Sequence, residues 1–348
     1  MTDFRRHLIT KGTKIKDALV QLNDLASDAI LFVVDESNKL IGSLTDGDVR
    51  RGLIKGIQID AQVDDIIQSN PKFFKKGENN ISEVIDYRKN NYKIIPVVEK
   101  DHTVVNVVNF RKKKSYLPID AVIMAGGRGA RLRPLTDNTP KPLLKVGEKP
   151  IIEHNIDRLN SFGIDDLWLS IRYLGDQIKE YFEDGSYKGV TIQYVTEDEP
   201  LGTIGAVKKI KNFKHDTVLV TNSDLLTDLD YEDFYIQFLE SGADMSVVTI
   251  PYKVDIPYAV LETNDSQVHD FKEKPTYTYY SNGGIYLIKK NVLDLIPENE
   301  FFNATDLMEK LIKSSNKVHS YPLIGYWLDI GKHEDYNKAQ SDIMKLKI

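Results

Sequence analysis

Asp120-Ala121-Val122-Ile123-Met124-Ala125-Gly126-Gly127-Arg128-Gly129-Ala130-Arg131-Leu132-Arg133-Pro134-Leu135-Thr136, followed by Asp137-Asn138-Thr139-Pro140-Lys141-Pro142-Leu143-Leu144-Lys145-Val146-Gly147, is the stretch on which the fold turns. Its apolar run Ala121 to Met124 predicts a buried strand that empties into a loop of small residues, Ala125 to Ala130. Gly126, Gly127 and Gly129 let backbone N–H groups approach an anion with no Cβ in the way, and Arg131 and Lys141 supply full positive charge. Such a loop is built for phosphate. It is neither of two familiar phosphate loops. A dinucleotide fingerprint counted from Gly127 and Gly129 would need a third glycine where Leu132 stands, and no Gly-x-x-x-x-Gly-Lys-Ser/Thr run occurs anywhere in the chain.

The surrounding chain limits what such a loop can serve. At 348 residues and 41% hydrophobic content there is material for two or three domains. A net charge of −6 argues against general nucleic-acid binding, so a phosphate ligand must be met by local cations in a cleft. Zero cysteines exclude disulfides and thiolate metal sites, and the seven histidines form no His-x-x-x-His or His-x-His pair. The N-terminal residues lack the apolar run of a secretion signal, and no run of eighteen apolar residues could cross a bilayer. A cytoplasmic enzyme with no membrane partner is the expectation.

Residues 1–115 read as a weak duplication. A helix from Ile15 to Leu25, strands Ala29 to Val34 and Leu40 to Leu44, and a turn between them recur as helix Ile81 to Asn90 and strands Lys93 to Val98 and Val104 to Asn109. Each half is too short to stand alone, so the two should share a core. Arg111 to Pro118, with four consecutive cations, reads as a solvated boundary. From 119 to the C-terminus, strands and helices alternate. Helices are expected at Ile151 to Phe162, Gly175 to Phe182, Thr203 to Ile210 and Tyr231 to Glu240. The intervening strands are Asp166 to Ile171, Val190 to Val195 and Thr217 to Val220. That alternation implies an α/β domain with a mostly parallel sheet and ligands at the carboxyl ends of its strands. Later strand-rich segments, from Met245 to Ile288, suggest a mixed extension over the cleft.

Two acids stand where a ligand would be met. The run Leu219 to Asp224 ends a buried strand in an acid, and Asp329 precedes the glycine turn at Gly331. Paired hard oxygen donors suit Mg²⁺, which shares phosphate oxygens with substrates, although a single strand-end Asp is more often a turn former or helix cap.

The loop with its Pro-Lys-Pro continuation resembles the signature of the sugar-1-phosphate nucleotidyltransferases, with Ala130 standing where that family usually has Thr or Ser. The resemblance spans about residues 119 to 340 and implies a Rossmann-like, GT-A type domain with a mixed, mostly parallel sheet. It also implies roles for residues. Arg131, Lys141 and Lys274 would act on the phosphates, and Asp224 and Asp329 would hold Mg²⁺. Ala125, Gly126, Gly127, Gly129, Glu199, Leu201, Gly202, Thr203 and Asn222 would bind the nucleotide. Glu262, Glu273, Asn282 and Gly283 would meet the sugar, with Ala259 replacing the family's usual glycine nearby. The partners implied are a nucleoside triphosphate and a sugar 1-phosphate. Residues 1–115 resemble a tandem pair of CBS motifs, in which Thr45 and Asp48 would meet an adenine nucleotide. The second copy, at Val105 to Phe110, lacks the glycine and the aspartate. Sensing and plain dimerisation both remain open for this module, and a homo-oligomer is expected. The union of the two domains resembles the glucosamine-1-phosphate guanylyltransferases of legionaminic acid synthesis. Other sugar-1-phosphate enzymes, uridylyl- and thymidylyltransferases among them, and a non-catalytic sensor of nucleotide sugars are the alternatives.

Overall fold

The computed structural model describes residues 4–346, so the outermost ends of both expected domains lie outside the described residues. The chain forms two compact units: residues up to 118 with 159–165 and 185–191, and residues 119–158, 166–184 and 192 onward.

The first unit repeats one pattern. β1 (Leu8–Thr10), α1 (Ile15–Leu25), β2 (Ile30–Val34) and β3 (Leu40–Thr45) lead into α2 (Asp46–Ile54), and β4 (Phe74–Lys75), α3 (Ile81–Lys89), β5 (Ile94–Val98) and β6 (Val104–Asn109) follow. Each half is a three-stranded sheet, β1-β2-β3 and β4-β5-β6, whose first pair is parallel and second antiparallel. The registers match at one constant offset: Ile30 faces Thr45 as Ile94 faces Asn109, and the same irregularity recurs between Val33 and Val34 and between Val97 and Val98. Ile15, Ala18 and Leu22 of α1 bury their stripe against Leu31, Val33 and Leu44, as the 3.6-residue spacing requires. The halves differ after their last strand. α2 begins at a capping box made by Thr45 and Asp48, whereas Phe110 onward forms no corresponding helix. The cationic boundary is also less solvated than its composition indicates. Arg111 and Lys112 pair with Asp28, while Tyr116 and Leu117 are buried, Tyr116 lying against Phe74.

In the second unit, β7 (Asp120–Ala125) is followed by the short pair β8 (Lys145–Val146) and β9 (Lys149–Pro150), then α4 (Ile151–Ser161), β10 (Asp166–Ile171), α5 (Gly175–Phe182) and β11 (Thr191–Thr196). β12 (Thr217–Asn222), β13 (Leu225–Thr227), α6 (Tyr231–Ser241), β14 (Met245–Asp255), the hairpin β15 (Val260–Asn264) and β16 (Gln267–Lys272), and β17 (Thr276–Lys289) come next. α7 (Ala304–Lys313), β18 (Val318–Pro322), β19 (Trp327–Asp329) and α8 (His333–Ile343) complete it. The main sheet has the order β11-β10-β7-β12-β17-β14-β18. β7 is parallel to both β10 and β12, and β17 is antiparallel to β12 and β14. This is the mixed α/β sheet that the alternation of strands and helices predicts. The chain leaves β7 for neighbours on opposite sides, which opens a crevice at its carboxyl end.

One expected helix is absent. Thr203 to Ile210 yields only a short 3₁₀ turn at Gly205–Lys209. The N–H groups of Ile204 and Gly205 donate to the Phe302 carbonyl at 3.2 and 3.1 Å instead of entering a helical ladder. Gly205 also lies so close to the Glu300 carbonyl that a Cβ there would sit 2.8 Å away. The tertiary partner outcompetes local helix formation.

In the first unit, Asp48 is 4% exposed and accepts hydrogen bonds from the Thr45 amide at 2.9 Å, the Thr45 hydroxyl at 2.6 Å, the Gln68 amide at 2.9 Å and the Arg51 guanidinium. Burial alone would push its carboxyl up; the bonds from Thr45, Gln68 and Arg51 outweigh it and hold the pKa below the ordinary value. A carboxyl depressed in this way contributes fully above its unfolded value of about 3.9 and loses that contribution as pH falls through the lower folded value. Asp48→Ala should therefore lower thermal stability at pH 7 by about 1–3 kcal/mol. Circular-dichroism melts should show the gap to wild type narrowing toward pH 3.

Candidate active site

Apolar β7 delivers Gly126, Gly127 and Gly129 to the crevice, where they line a cavity of about 430 Å³ with Arg131, Lys141, Arg172, Glu197, Leu201, Gly202, Thr203, Asn222 and Asp224. Gly129 has φ of 62°, and a Cβ there would meet the Lys141 Cβ at 2.9 Å and Thr136 Cγ2 at 3.0 Å. Glycine at this position thus lets the chain turn back and seat Lys141 beside the loop. At Gly126 a Cβ would sit 2.8 Å from Glu197 Oε1, so its backbone lies directly against that carboxylate.

The two acids converge although a hundred residues of chain separate them. β13 and β19 pair antiparallel with Leu225 opposite Asp329, and the Ile330 amide donates to the Asp224 carbonyl at 3.0 Å. A cluster of Leu132, Leu144, Val146, Ile151, Leu226, Leu328 and Ile330 packs beneath this small sheet and fixes it to the phosphate loop's continuation. Lys141 Nζ donates to Asp224 Oδ2. One oxygen of each acid, Asp224 Oδ1 and Asp329 Oδ1, is buried with no hydrogen-bond partner. Burial pushes the Asp329 carboxyl up, the neighbouring Asp224 pushes it further, and Lys141 and Arg131 pull it back. Two orphaned carboxylate oxygens side by side, among cations, form a donor set suited to a hard divalent ion such as Mg²⁺. Arg131 lies over Gly331, whose Cβ would stand 3.3 Å from its guanidinium, which accounts for glycine directly after the Asp329 strand.

Residues the sequence did not single out complete the wall. Glu197 is 6% exposed and accepts from the Ser170 hydroxyl at 2.5 Å and the Leu201 amide at 3.1 Å. The acid singled out from the sequence, Glu199, is exposed and lies outside the cavity lining. Period-two alternation along β11 carries the buried side from Val195 to Glu197, a signal that the motif around Glu199 obscured. Arg172 stands at the carboxyl end of β10, where strand position alone could have indicated it. Ala125 is buried beneath the loop rather than on the cavity surface.

The sugar-side residues are not gathered there. Glu262 pairs with Lys272 on the β15–β16 hairpin, and Glu273 and Lys274 are exposed beyond it. None of the three lines the cavity. Lys274 holds φ of 42°, a left-handed conformation that costs a non-glycine residue about 1 kcal/mol or more. Asn282 bonds Tyr286 and the Gly284 amide, and Gly283 accepts from the Trp327 indole at 2.9 Å. In the first unit, Thr45 and Asp48 bond each other, and that unit's cavity of about 470 Å³, lined by Leu8, Thr10, Gln21 and Thr103 among others, includes neither.

A carboxyl raised in the fold contributes stability below its unfolded pKa and loses it as pH rises through the folded value. Asp329→Asn should accordingly raise the melting temperature of chelator-treated protein at pH 8 by about 2 °C, a small gain because partial solvent exposure screens the pair. The same variant should lose stabilisation by added Mg²⁺, read by differential scanning fluorimetry.

Comparison with known proteins places these features. The family described as Nucleotidyl transferase matches residues 120–345, and the CBS domain matches residues 7–55. A UTP–glucose-1-phosphate uridylyltransferase of Synechocystis sp. is 32% identical over 248 residues, 66% of this chain and 64% of that protein. A D-glycero-alpha-D-manno-heptose 1-phosphate guanylyltransferase of Aneurinibacillus thermoaerophilus is 33% identical over 228 residues, 65% of this chain and 98% of that one. Among solved structures, HddC from Yersinia pseudotuberculosis complexed with GMP-PN superposes with a TM-score of 0.50 at 27% identity, covering 64% of this chain and 99% of that one.

Proposed function

We propose that this chain, which belongs to the nucleotidyl transferase family and carries a CBS domain ahead of its catalytic unit, transfers a nucleoside monophosphate from a triphosphate to a sugar 1-phosphate. The observation that carries the proposal is the meeting of Asp224 and Asp329, each with a buried unsatisfied oxygen, beside a glycine loop and Lys141. A bound Mg²⁺ on that pair would neutralise triphosphate charge and favour departure of pyrophosphate.

The side chains then have separable tasks. The Gly126 to Gly129 backbone and Arg131 hold the triphosphate, and Lys141 both positions Asp224 and adds charge at the phosphates. Gly202 presents its backbone to the base and Leu201 borders it, with the Leu201 amide held by Glu197 and its carbonyl by the Phe302 amide. Thr203 and Asn222 border the same nucleotide. Glu262, Glu273, Asn282 and Gly283 are assigned to the sugar, and Lys274 to its phosphate, on the strands that extend past the cavity. The sugar phosphate is already an anion, so in-line attack on the α-phosphorus needs no general base. The work of the site is to bring two polyanions together.

GTP and glucosamine 1-phosphate are our first assignment, as in legionaminic acid synthesis, with mannose 1-phosphate second and uridylyl or thymidylyl transfer third. Support for a guanylyl donor comes from the Glu199-Pro200-Leu201-Gly202-Thr203 run and from relatives named as guanylyltransferases. For the first unit we assign docking between copies of the chain in preference to adenine-nucleotide sensing, because Asp48 already spends its carboxylate on Thr45, Gln68 and Arg51. Nothing in this assignment calls for a membrane or nucleic-acid partner, and a cytoplasmic homo-oligomer is the working form.

A pyrophosphate-release panel crossing GTP, UTP, dTTP, CTP and ATP with hexose and hexosamine 1-phosphates should give the highest kcat/KM for GTP with glucosamine 1-phosphate. Asp224→Asn should reduce the rate about a hundredfold or more, roughly 3 kcal/mol of barrier, with circular dichroism unchanged. Near-wild-type turnover in that variant would sink the assignment of the acid pair. AMP or ATP up to millimolar concentration should leave the melting temperature unmoved if the first unit only docks, and a rise of several degrees would reverse that choice.

A further inference from the structure

At the pole of the main sheet opposite the phosphate loop, a second group of ligating side chains meets. Asp120 begins β7, Asp166 begins β10, and His215 lies two residues before β12. One carboxylate oxygen from each Asp and one imidazole nitrogen of His215 all lie within 4.8 Å of one another. β10, β7 and β12 are consecutive neighbours in the sheet, so the parallel registers that align their carboxyl ends at the phosphate loop also align their starts here.

Burial makes this more than a chance gathering of acids. Asp120 is 1% exposed, and although its Oδ2 accepts the His215 backbone amide at 2.7 Å, its Oδ1 is buried with no hydrogen-bond partner. A buried carboxylate oxygen without a donor is costly unless something positive satisfies it. The Asp166 side chain is 12% exposed and pairs with Lys214, which is 39% exposed and can swing outward. Lys290 is also near, but its ammonium donates to the Phe213 carbonyl at 2.8 Å rather than to either acid.

We propose that Asp120, Asp166 and His215 bind a divalent transition-metal ion of the Zn²⁺ class, which clamps the amino-terminal ends of the three central strands. One imidazole with two carboxylates favours such an ion over Mg²⁺, which prefers oxygen donors and octahedral geometry. Bonds of about 2.1 Å put tetrahedral ligand atoms roughly 3.4 Å apart, so a closure of at most about 1.4 Å completes the shell. The site is structural: it stands at the opposite ends of the strands from Asp224 and Asp329 and touches no residue assigned to nucleotide or sugar.

The test uses the full chain, stripped with chelator and held in millimolar Mg²⁺ so that the Asp224 and Asp329 pair is occupied. Co²⁺ serves as the optical probe. Wild type and Asp224→Asn should each take up one equivalent with visible d–d bands, displaced by Zn²⁺, whereas His215→Gln and Asp166→Asn should lose the bands. Lys214→Ala should bind about fivefold more tightly, because a competing surface ion pair is removed. Zn²⁺ should raise the melting temperature of wild type and leave that of folded His215→Gln unchanged. Absence of Co²⁺ uptake by wild type would overturn the site, as would uptake unaffected by both His215→Gln and Asp166→Asn or abolished by Asp224→Asn.

Discussion

The second unit is arranged around one electrostatic constraint: two carboxylates, Asp224 and Asp329, are held together in a partly buried place with one oxygen of each left without a hydrogen-bond partner. Asp329 is pushed up by burial first and by Asp224 second, and only Lys141 and Arg131 oppose this. The fold therefore commits elements from three parts of the chain to the same few ångströms. Asp224 stands just before β13 and Asp329 ends β19, the Pro-Lys-Pro segment carries one cation, and the glycine loop's continuation carries the other. Two glycines on that path have a steric reason. Gly129 makes room for Lys141, and Gly331 makes room for Arg131.

The same constraint explains why the phosphate loop could be read in the sequence. A loop that must bring backbone N–H groups and fixed cations to one anion has little freedom in residue type, so Gly126, Gly127, Gly129, Arg131 and Lys141 stand out by chemistry alone. Fold class was legible for a related reason: strands buried on both faces and alternating with amphipathic helices leave few layer arrangements. The register repeat of the first unit was legible as rhythm. Its missing final helix was not, because the chain after Asn109 is drawn into packing at Tyr116 and Leu117 that no local pattern announces.

What stayed hidden depends on side chains finding partners far away in sequence. Glu197 looks unremarkable beside Glu199, yet the former turns inward to Ser170 and the Leu201 amide. The Thr203 to Ile210 segment has helical composition, but Phe302 takes its amides. Asp48 invites a ligand reading from its motif, while the structure already gives it donors from Thr45, Gln68 and Arg51. Burial and satisfaction, rather than residue type, separate these cases.

The placement of the sugar-side residues is a consequence of how the sheet ends. β14 and β17 run on together well past the part of the main sheet that packs on the core, and their outer residues, including Tyr252, Tyr279 and Tyr280, are exposed. The β15–β16 hairpin that joins them is exposed at nearly every position. A two-stranded hairpin without a covering face gains little stability of its own. The proposed phosphate site sits on the well-packed part of the sheet, where Asn222 packs against Gly284, while Glu262, Glu273 and Lys274 ride on the exposed part. Rigid walls suit the invariant triphosphate, whose charges must be met at fixed distances. Under the proposed function, an arm with few buried contacts is the least stable part of the unit, and a different sugar met there would leave the packing around the acid pair undisturbed.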